Sequence, residues 1–160
     1  MSTLAVRPAI PQDEIFLYEL YTAVRGPLFA LAPITLAQRE HLLRMQFQAQ
    51  LSSYSQQYPN SCYHIVLLDG RAVGRLWVAP GNHAFMLVDI AIHPELQSKG
   101  LGTALVLRLQ QEATRARLPI QSVVDRFNTG SLRFHQRLGF SIAREDMLNY
   151  YMEWRPVPAL

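Results

Sequence analysis

The pattern of apolar and polar residues along the 160-residue chain predicts strands and helices in alternation. The stretch TLAVRP predicts a short first strand, and PQDEIFLYELYTAVRG predicts a helix with acidic residues in its first turn. Residues 32–59 predict a second helix, because Thr35 and Gln38 fit a capping box at its start. Its apolar face consists of Leu43, Phe47 and Leu51, four residues apart.

The rest of the chain predicts a sheet interrupted by two further helices. The runs CYHIVLLDG and RAVGRLWV meet at Asp69-Gly70, which is a strong hairpin signal, and AFMLVDIAI is apolar except for Asp89, as a central strand would be. The remaining elements are a helix in GTALVLRLQQEATRAR, a strand in IQSVVD, a helix in TGSLRFHQRL and strands in FSIAR and NYYMEW. The helix after AFMLVDIAI is a crossover, so a parallel strand pair is expected there.

Composition narrows the class of protein. The chain is 49% hydrophobic and 17% charged, and it has no repeat or linker, so we expect one globular domain over residues 1–160. Its longest apolar run is far short of the roughly 20 residues that span a membrane, and no secretory leader is visible. The single cysteine, Cys62, excludes an intrachain disulfide, favours the cytoplasm and is expected to be a small core residue.

The charged residues do not indicate a nucleic-acid or metal site. The net charge is +3, and the 14 arginines and one lysine are scattered rather than gathered into a basic stripe. The five histidines and the cysteine lack metal-ligand spacing, so we predict no metal. A small anionic ligand remains compatible with this charge.

The segment QSKGLGT, residues 97–103, is a candidate anion-binding loop between a strand and a helix. Its free backbone N–H groups at a helix N-terminus suit phosphate, and its glycines allow close approach. The spacing does not fit a Walker loop, and Leu105 occupies the position where a dinucleotide loop needs its third small residue.

The motif Q-x-x-G-x-G at residues 97–102 instead resembles the pyrophosphate loop of the GNAT acyltransferases. The stretches IAIHPELQSKGLGTALV and NTGSLRFHQRLGF resemble the two signatures of that family, in the same order. The resemblance implies an α/β fold with a mixed, mostly antiparallel sheet of six to seven strands, a splayed central parallel pair and about four flanking helices. It also implies acetyl-CoA as co-substrate.

The resemblance assigns the cofactor residues. The backbone of Ile90, Ala91 and Ile92 would pair with the pantetheine arm, and the Ile92 N–H would stabilise the oxyanion. Asn128 would hold the cofactor, or it simply caps a helix. The pyrophosphate would lie against Gln97, Ser98, Lys99, Gly100, Leu101, Gly102 and Thr103.

The catalytic groups are less clearly marked. His135 stands where relatives carry a tyrosine acid, so it either shuttles a proton or packs in the core. Val123 stands where some relatives carry a glutamate base, which leaves Asp89 as the candidate base. The alternative role of Asp89 is structural, as the partner of an arginine such as Arg75.

Acceptor-binding residues are expected on the first two helices and the last hairpin, namely Arg25, Gln46, Gln50, Tyr54 and Tyr150. The predicted function is acetyl transfer from acetyl-CoA to a primary amine of a small molecule or peptide, with no nucleic acid or membrane partner. An acyl-CoA-binding module with little or no transferase activity is the alternative, because Val123 and His135 depart from the family pattern. A homodimer is expected from the frequency of two-fold assemblies.

Overall fold

The computed structural model describes residues 1–158. Within that range the chain forms seven strands and four α-helices in the order predicted from the sequence. Their bounds are β1 (Leu4–Pro8), α1 (Glu14–Arg25), α2 (Leu36–Gln57), β2 (Cys62–Leu68), β3 (Arg71–Ala79), β4 (Phe85–Ile92), α3 (Leu101–Ala116), β5 (Ile120–Asp125), α4 (Thr129–Arg137), β6 (Ser141–Glu145) and β7 (Asn149–Trp154).

The strands form a seven-stranded sheet in the order β1-β2-β3-β4-β5-β7-β6. The pairs β1–β2, β5–β7 and β6–β7 are antiparallel, whereas β4 and β5 are parallel, as the crossover through α3 requires. The parallel register covers three pairs, from Phe85↔Ile120 to Leu87↔Ser122, and β4 continues beyond it to Ile92. The predicted fold class is confirmed.

Local signals in the sequence produce the observed turns and caps. Thr35 caps α2: its hydroxyl accepts from the Gln38 N–H at 3.1 Å, and the Gln38 side chain accepts from the Thr35 N–H at 2.9 Å. Asp69 and Gly70 join β2 to β3 with φ values of 50° and 81°, the left-handed pair of a tight hairpin.

The chain divides into two compact units. The first comprises Met1–Trp77 and Asp89–Leu101, and the second comprises Val78–Val88 and the chain from Gly102 onward. The single domain predicted over residues 1–160 stays a prediction, and residues 159–160 lie outside the described part of the chain.

Each unit buries its own apolar residues. In the first unit the faces of α1 and α2 pack on β2 through Leu17, Tyr21, Leu43, Phe47 and Ile65. In the second unit the buried residues of α3, β5, β7 and the segment before β6 include Leu105, Val106, Leu109, Ala113, Ile120, Val124, Met152 and Phe140.

Two local expectations need correction. Cys62 is exposed, not a core residue, because it is the first residue of β2 and burial in that strand is centred on Ile65 and Val66. The first predicted helix starts with a 3-10 turn over Pro11–Asp13, and its α-helical part begins at Glu14. Among residues 1–158 no helix is long and apolar enough to cross a membrane.

Candidate active site

The end of β4, beyond its register with β5, is the first component of the candidate site. The His93 N–H donates to the Val73 carbonyl of β3 at 2.8 Å. Because backbone groups of successive strand residues point to opposite edges, those of Ile92 and Ile90 point away from β3. The Ile92 carbonyl accepts a hydrogen bond from Gln97 Nε2 at 3.0 Å, which ties the following loop to this edge.

The loop after β4 presents backbone N–H groups at the start of α3. Ser98 and Gly100 are left-handed, with φ values of 63° and 80°, and the helix begins at Leu101. A Cβ at Gly100 would meet no atom within 4 Å, so the space beside it is open. Lys99 is exposed in the same loop. The first-turn N–H groups of a helix have no intrahelical acceptor, so this loop is suited to bind an anion.

Asp89 forms an ion pair with Arg75. Arg75 is the arginine expected as its partner if the role of Asp89 is structural. Arg75 Nε contacts Asp89 Oδ2, and the side chains are 5% and 21% exposed, respectively. Burial lowers the pKa of Arg75, but the charge of Asp89 and the nearby Tyr63 outweigh it and raise the pKa, so the guanidinium stays charged. The contact does not test a role of Asp89 as base.

Aromatic rings surround this ion pair within the first unit. Tyr63 stacks on Trp77 with ring centroids 4.2 Å apart, and Tyr54 meets Trp77 edge-on at 5.3 Å. The Trp77 Nε1 donates to Ser61 Oγ at 2.6 Å. Burial raises the pKa of both Tyr54 and Tyr63, which keeps them as neutral phenols at neutral pH. Of this cluster, only Tyr54 was expected at the site from the sequence.

Three predicted acceptor residues lie four residues apart on one side of α2. Gln50 does not extend into open solvent, because its Oε1 accepts a hydrogen bond from Arg75 Nη2 at 2.6 Å. Tyr54 is half-buried against Trp77, and Gln46 is exposed. The structure therefore brings Gln50 and Tyr54 to the Arg75–Asp89 pair.

Of the other two predicted acceptor residues, Arg25 lies in the first unit and Tyr150 in the second. Arg25, at the end of α1, is exposed, and its guanidinium lies 5.9 Å from the centre of the Tyr21 ring. Tyr150 belongs to the second unit, where the Arg126 guanidinium lies 5.0 Å from its ring centre.

Asn128, in the second unit, caps α4. Its Oδ1 accepts a hydrogen bond from the Ser131 N–H at 3.0 Å, and the residue is exposed. Its side-chain oxygen therefore makes the contact expected of a helix cap. Its cofactor role stays a prediction.

His135 is buried in the second unit, with 4% of its surface exposed. Its Nδ1 lies 2.8 Å from the Ser131 carbonyl oxygen, which can only accept, so Nδ1 carries the proton. Its Nε2 lies 3.0 Å from Ser122 Oγ, whose hydroxyl is also within 3.3 Å of the Leu87 carbonyl oxygen. Burial lowers the pKa of His135 and keeps the ring neutral, although the Ser131 carbonyl opposes this. This arrangement favours the packing role over the proton-shuttle role.

The sequence carried only a weak signal for Ser122 and none for its link to His135. Ser122 is a buried polar residue in the alternating strand IQSVVD, and its partner lies thirteen residues away. Among residues 1–158 no group of three or more His, Cys, Asp or Glu side chains is arranged to hold a metal ion.

Comparison with solved structures finds the same fold in known proteins. The chain is similar to PaiA N-acetyltransferase from Thermoplasma acidophilum, solved in complex with coenzyme A, with 18% identity, 96% and 99% of the two chains covered, and a TM-score of 0.72. An acetyltransferase from Thermus thermophilus has 22% identity, 96% and 97% coverage, and a TM-score of 0.69.

A third solved structure with this fold is the ribosomal-protein-S18-alanine N-acetyltransferase from Escherichia coli, with 17% identity, 98% and 96% coverage, and a TM-score of 0.65. No curated protein sequence matches the chain significantly. The sequence model described as the acetyltransferase (GNAT) family matches residues 30–140, which is more than half of the chain. The chain therefore belongs to the acetyltransferase (GNAT) family.

Proposed function

We propose that this chain is an N-acetyltransferase that moves the acetyl group of acetyl-CoA to a primary amine of a small molecule or peptide. One observation carries the proposal: the outward backbone edge at Ile90 and Ile92 runs directly into a loop with two left-handed residues at the N-terminus of α3. Membership of the GNAT family supports the acyl transfer, and the solved relatives include N-acetyltransferases.

The loop fits the pyrophosphate of acetyl-CoA. The first-turn N–H groups of α3 and the charge of Lys99 favour an anion, and the open space beside Gly100 lets it approach the backbone. Gln97 contributes indirectly, because its side-chain amide is bonded to the Ile92 carbonyl and holds the loop against β4. The remaining loop residues, from Ser98 to Thr103, supply backbone.

The edge of β4 fits the acyl end of the same substrate. Ile90 supplies the outward N–H and C=O groups that add an extended ligand to a sheet edge, whereas the Ala91 backbone faces β3 and the Ile92 carbonyl is already bonded to Gln97. In the transfer, the amine nitrogen forms a bond to the thioester carbonyl carbon as the carbon–sulphur bond breaks. The Ile92 N–H stabilises the developing oxyanion, and the products are an amide and the CoA thiol.

Asp89 is the proposed base that accepts the proton of the attacking ammonium, either directly or through water. Its side chain is partly exposed while Oδ2 is fixed by Arg75, so one end of the carboxylate is held and the group is still accessible. As the carbon–sulphur bond breaks, the nitrogen releases its second proton to solvent and the thiolate takes a proton from solvent, since the ring proton of His135 is donated to the Ser131 carbonyl.

Two measurements test the function. Isothermal titration calorimetry should detect binding of acetyl-CoA, and absence of binding at high micromolar ligand would overturn the proposal. A thiol-release screen over amino acids, polyamines, aminoglycosides and peptides with free N-termini should then identify an acceptor.

The base is tested by Asp89→Asn, with the exposed carboxylate variant Glu112→Gln as control. Loss of a general base should lower kcat by about 100-fold or more, with the affinity for acetyl-CoA nearly unchanged. The control should turn over like the unmodified chain. Equal kcat in Asp89→Asn would remove Asp89 from the mechanism and leave the transferase assignment standing.

A binding module for acyl-CoA is the second candidate, favoured by one observation. The position of the family's acid is filled by a buried, fully bonded His135, and Val123 offers no carboxylate. Tight binding of acetyl-CoA combined with no thiol release from any acceptor would support this candidate.

The other expectations stay predictions. They are cofactor binding by Asn128, acceptor binding by Arg25, Gln46 and Tyr150, a cytoplasmic location and a homodimer. Sedimentation measurements decide the oligomeric state.

A further inference from the structure

Arg75 is a buried cation whose guanidinium contacts side chains from three other elements. It is 4% exposed, on β3 of the first unit. Its Nε faces Asp89 Oδ2 on β4, its Nη2 donates to Gln50 Oε1 on α2 at 2.6 Å, and its Nη1 lies 3.5 Å from the Tyr63 hydroxyl on β2. A planar guanidinium joins three such elements from three separate nitrogens held in a fixed fork, whereas a lysine carries all its donors on one nitrogen.

Stability alone does not account for this arrangement. Buried ion pairs are weak contributors to stability, and well-packed apolar residues often replace them at no cost. Arg75 Nε contacts Asp89 Oδ2 in the ion pair, and Arg75 Nη2 donates to Gln50 Oε1 at 2.6 Å. The guanidinium is therefore held from two sides, by the carboxylate on β4 and by Gln50 on α2, so Gln50 helps to fix where the guanidinium lies beside the carboxylate.

We propose that Gln50 and Arg75 are positioning residues that hold Asp89 for the acceptor amine, an inference that rests on the proposed base role of Asp89. Gln50 acts through Arg75 and does not touch the acceptor with its carbonyl oxygen, which is already occupied. The chain of contacts links the acceptor-side helix α2 to the strand that carries the reacting edge.

A double-mutant cycle tests this directly, since it separates action through Asp89 from direct contact with the acceptor. Gln50→Leu should lower kcat by roughly 2- to 160-fold, the range that couplings between neighbouring residues span, with the acetyl-CoA affinity unchanged. In the Asp89→Asn background the same change should have no further effect. An equal loss in both backgrounds would overturn the inference and make Gln50 a direct acceptor contact.

Arg75→Lys supplies an independent readout. Lysine keeps the buried charge but cannot reproduce the separate Nε contact to Asp89 and Nη2 bond to Gln50, so the melting temperature should recover relative to Arg75→Met while kcat does not. Wild-type kcat in Arg75→Lys would show that only the charge matters and would contradict positioning.

The control applies the same arginine-to-lysine change to a more exposed Arg–Asp pair in the same unit. Arg7 donates to both oxygens of Asp13, at 2.7 and 2.8 Å, and Arg7→Lys should leave kcat unchanged. If Asp89→Asn itself retains full kcat, the base role has failed. If Asp89→Asn loses activity but the cycle is additive, only the positioning inference has failed.

Discussion

Replacing Gly74 by alanine tests whether the reacting edge of β4 depends on close packing against β3. A Cβ on Gly74 would collide with the Ala91 carbonyl oxygen and would lie 2.8 Å from Ile92 Cδ1. Since carbon atoms pack at about 3.5–4.0 Å, the Ile92 side chain must move by roughly 1 Å. The carbonyl oxygen belongs to the backbone, so it can move only if β4 moves with it.

The expected magnitude follows from that displacement. Overpacking of this kind costs about 1–3 kcal/mol, and a domain of this size loses roughly 2–4 °C in melting temperature per kcal/mol, so Tm should fall by roughly 2–12 °C. The shift also carries the Ile92 N–H, and a misplacement of about 1 Å at a reacting group costs up to roughly 100-fold in rate. We expect kcat to fall by about 10- to 100-fold.

Gly70→Ala is the matched control, in the hairpin turn between β2 and β3. Gly70 has φ +81° and no atom within 4 Å of its Cβ position, so alanine there is strained by about 1–2 kcal/mol without a clash. Calorimetric melting should show similar losses of Tm for the two variants. Thiol release should show full kcat for Gly70→Ala only. A folded Gly74→Ala variant with the kcat of its control would refute the reasoning.

Three further results are expected. Gly100→Ala strains the loop at φ +80° by about 1–2 kcal/mol without a clash, and titration calorimetry should show weaker acetyl-CoA binding; unchanged affinity would count against this loop as the anion site. His135 has a lowered folded pKa, so the unfolded chain takes up its proton first and stability should fall below about pH 6.5. When the pH is lowered from about 7.5 to about 5.5, the urea concentration at the midpoint of unfolding should fall less for His135→Gln than for the native chain. An equal fall in both would contradict the burial of a neutral His135. The hydrogen bond from Arg7 lowers the pKa of Asp13 to about 2, so its contribution is present above about pH 3.9 and disappears as pH falls through about 2; the Tm gap between the native chain and Asp13→Asn should close over that range.

The strands and helices were predictable from the sequence because the caps and turns that bound them are local features. The capping box at Thr35 and Gln38 and the turn at Asp69-Gly70 each lie within four residues, and both form as the sequence indicates. The parallel pair followed from the length of the crossover through α3. Exposure of Cys62 was not predictable, because it depends on how far the core extends along β2.

The site was predictable only where it is continuous in sequence. The loop after β4 has its left-handed residues and its helix start within a few positions. The bond between Gln50 and Arg75 joins residues 25 positions apart, and no periodicity indicates which polar residue of α2 meets which residue of β3. The sequence offered Arg75 only as one arginine that could pair with Asp89, because its three contacts are set by tertiary packing.

The most direct test of the transferase assignment is the fate of an isotope-labelled acetyl group. The chain would be incubated with labelled acetyl-CoA and the best acceptor from the thiol-release screen, and the products would be read by NMR and mass spectrometry. The account predicts the label in an amide on the acceptor nitrogen, in amounts that match the CoA thiol released. Label found only in unreacted acetyl-CoA or in free acetate would contradict it.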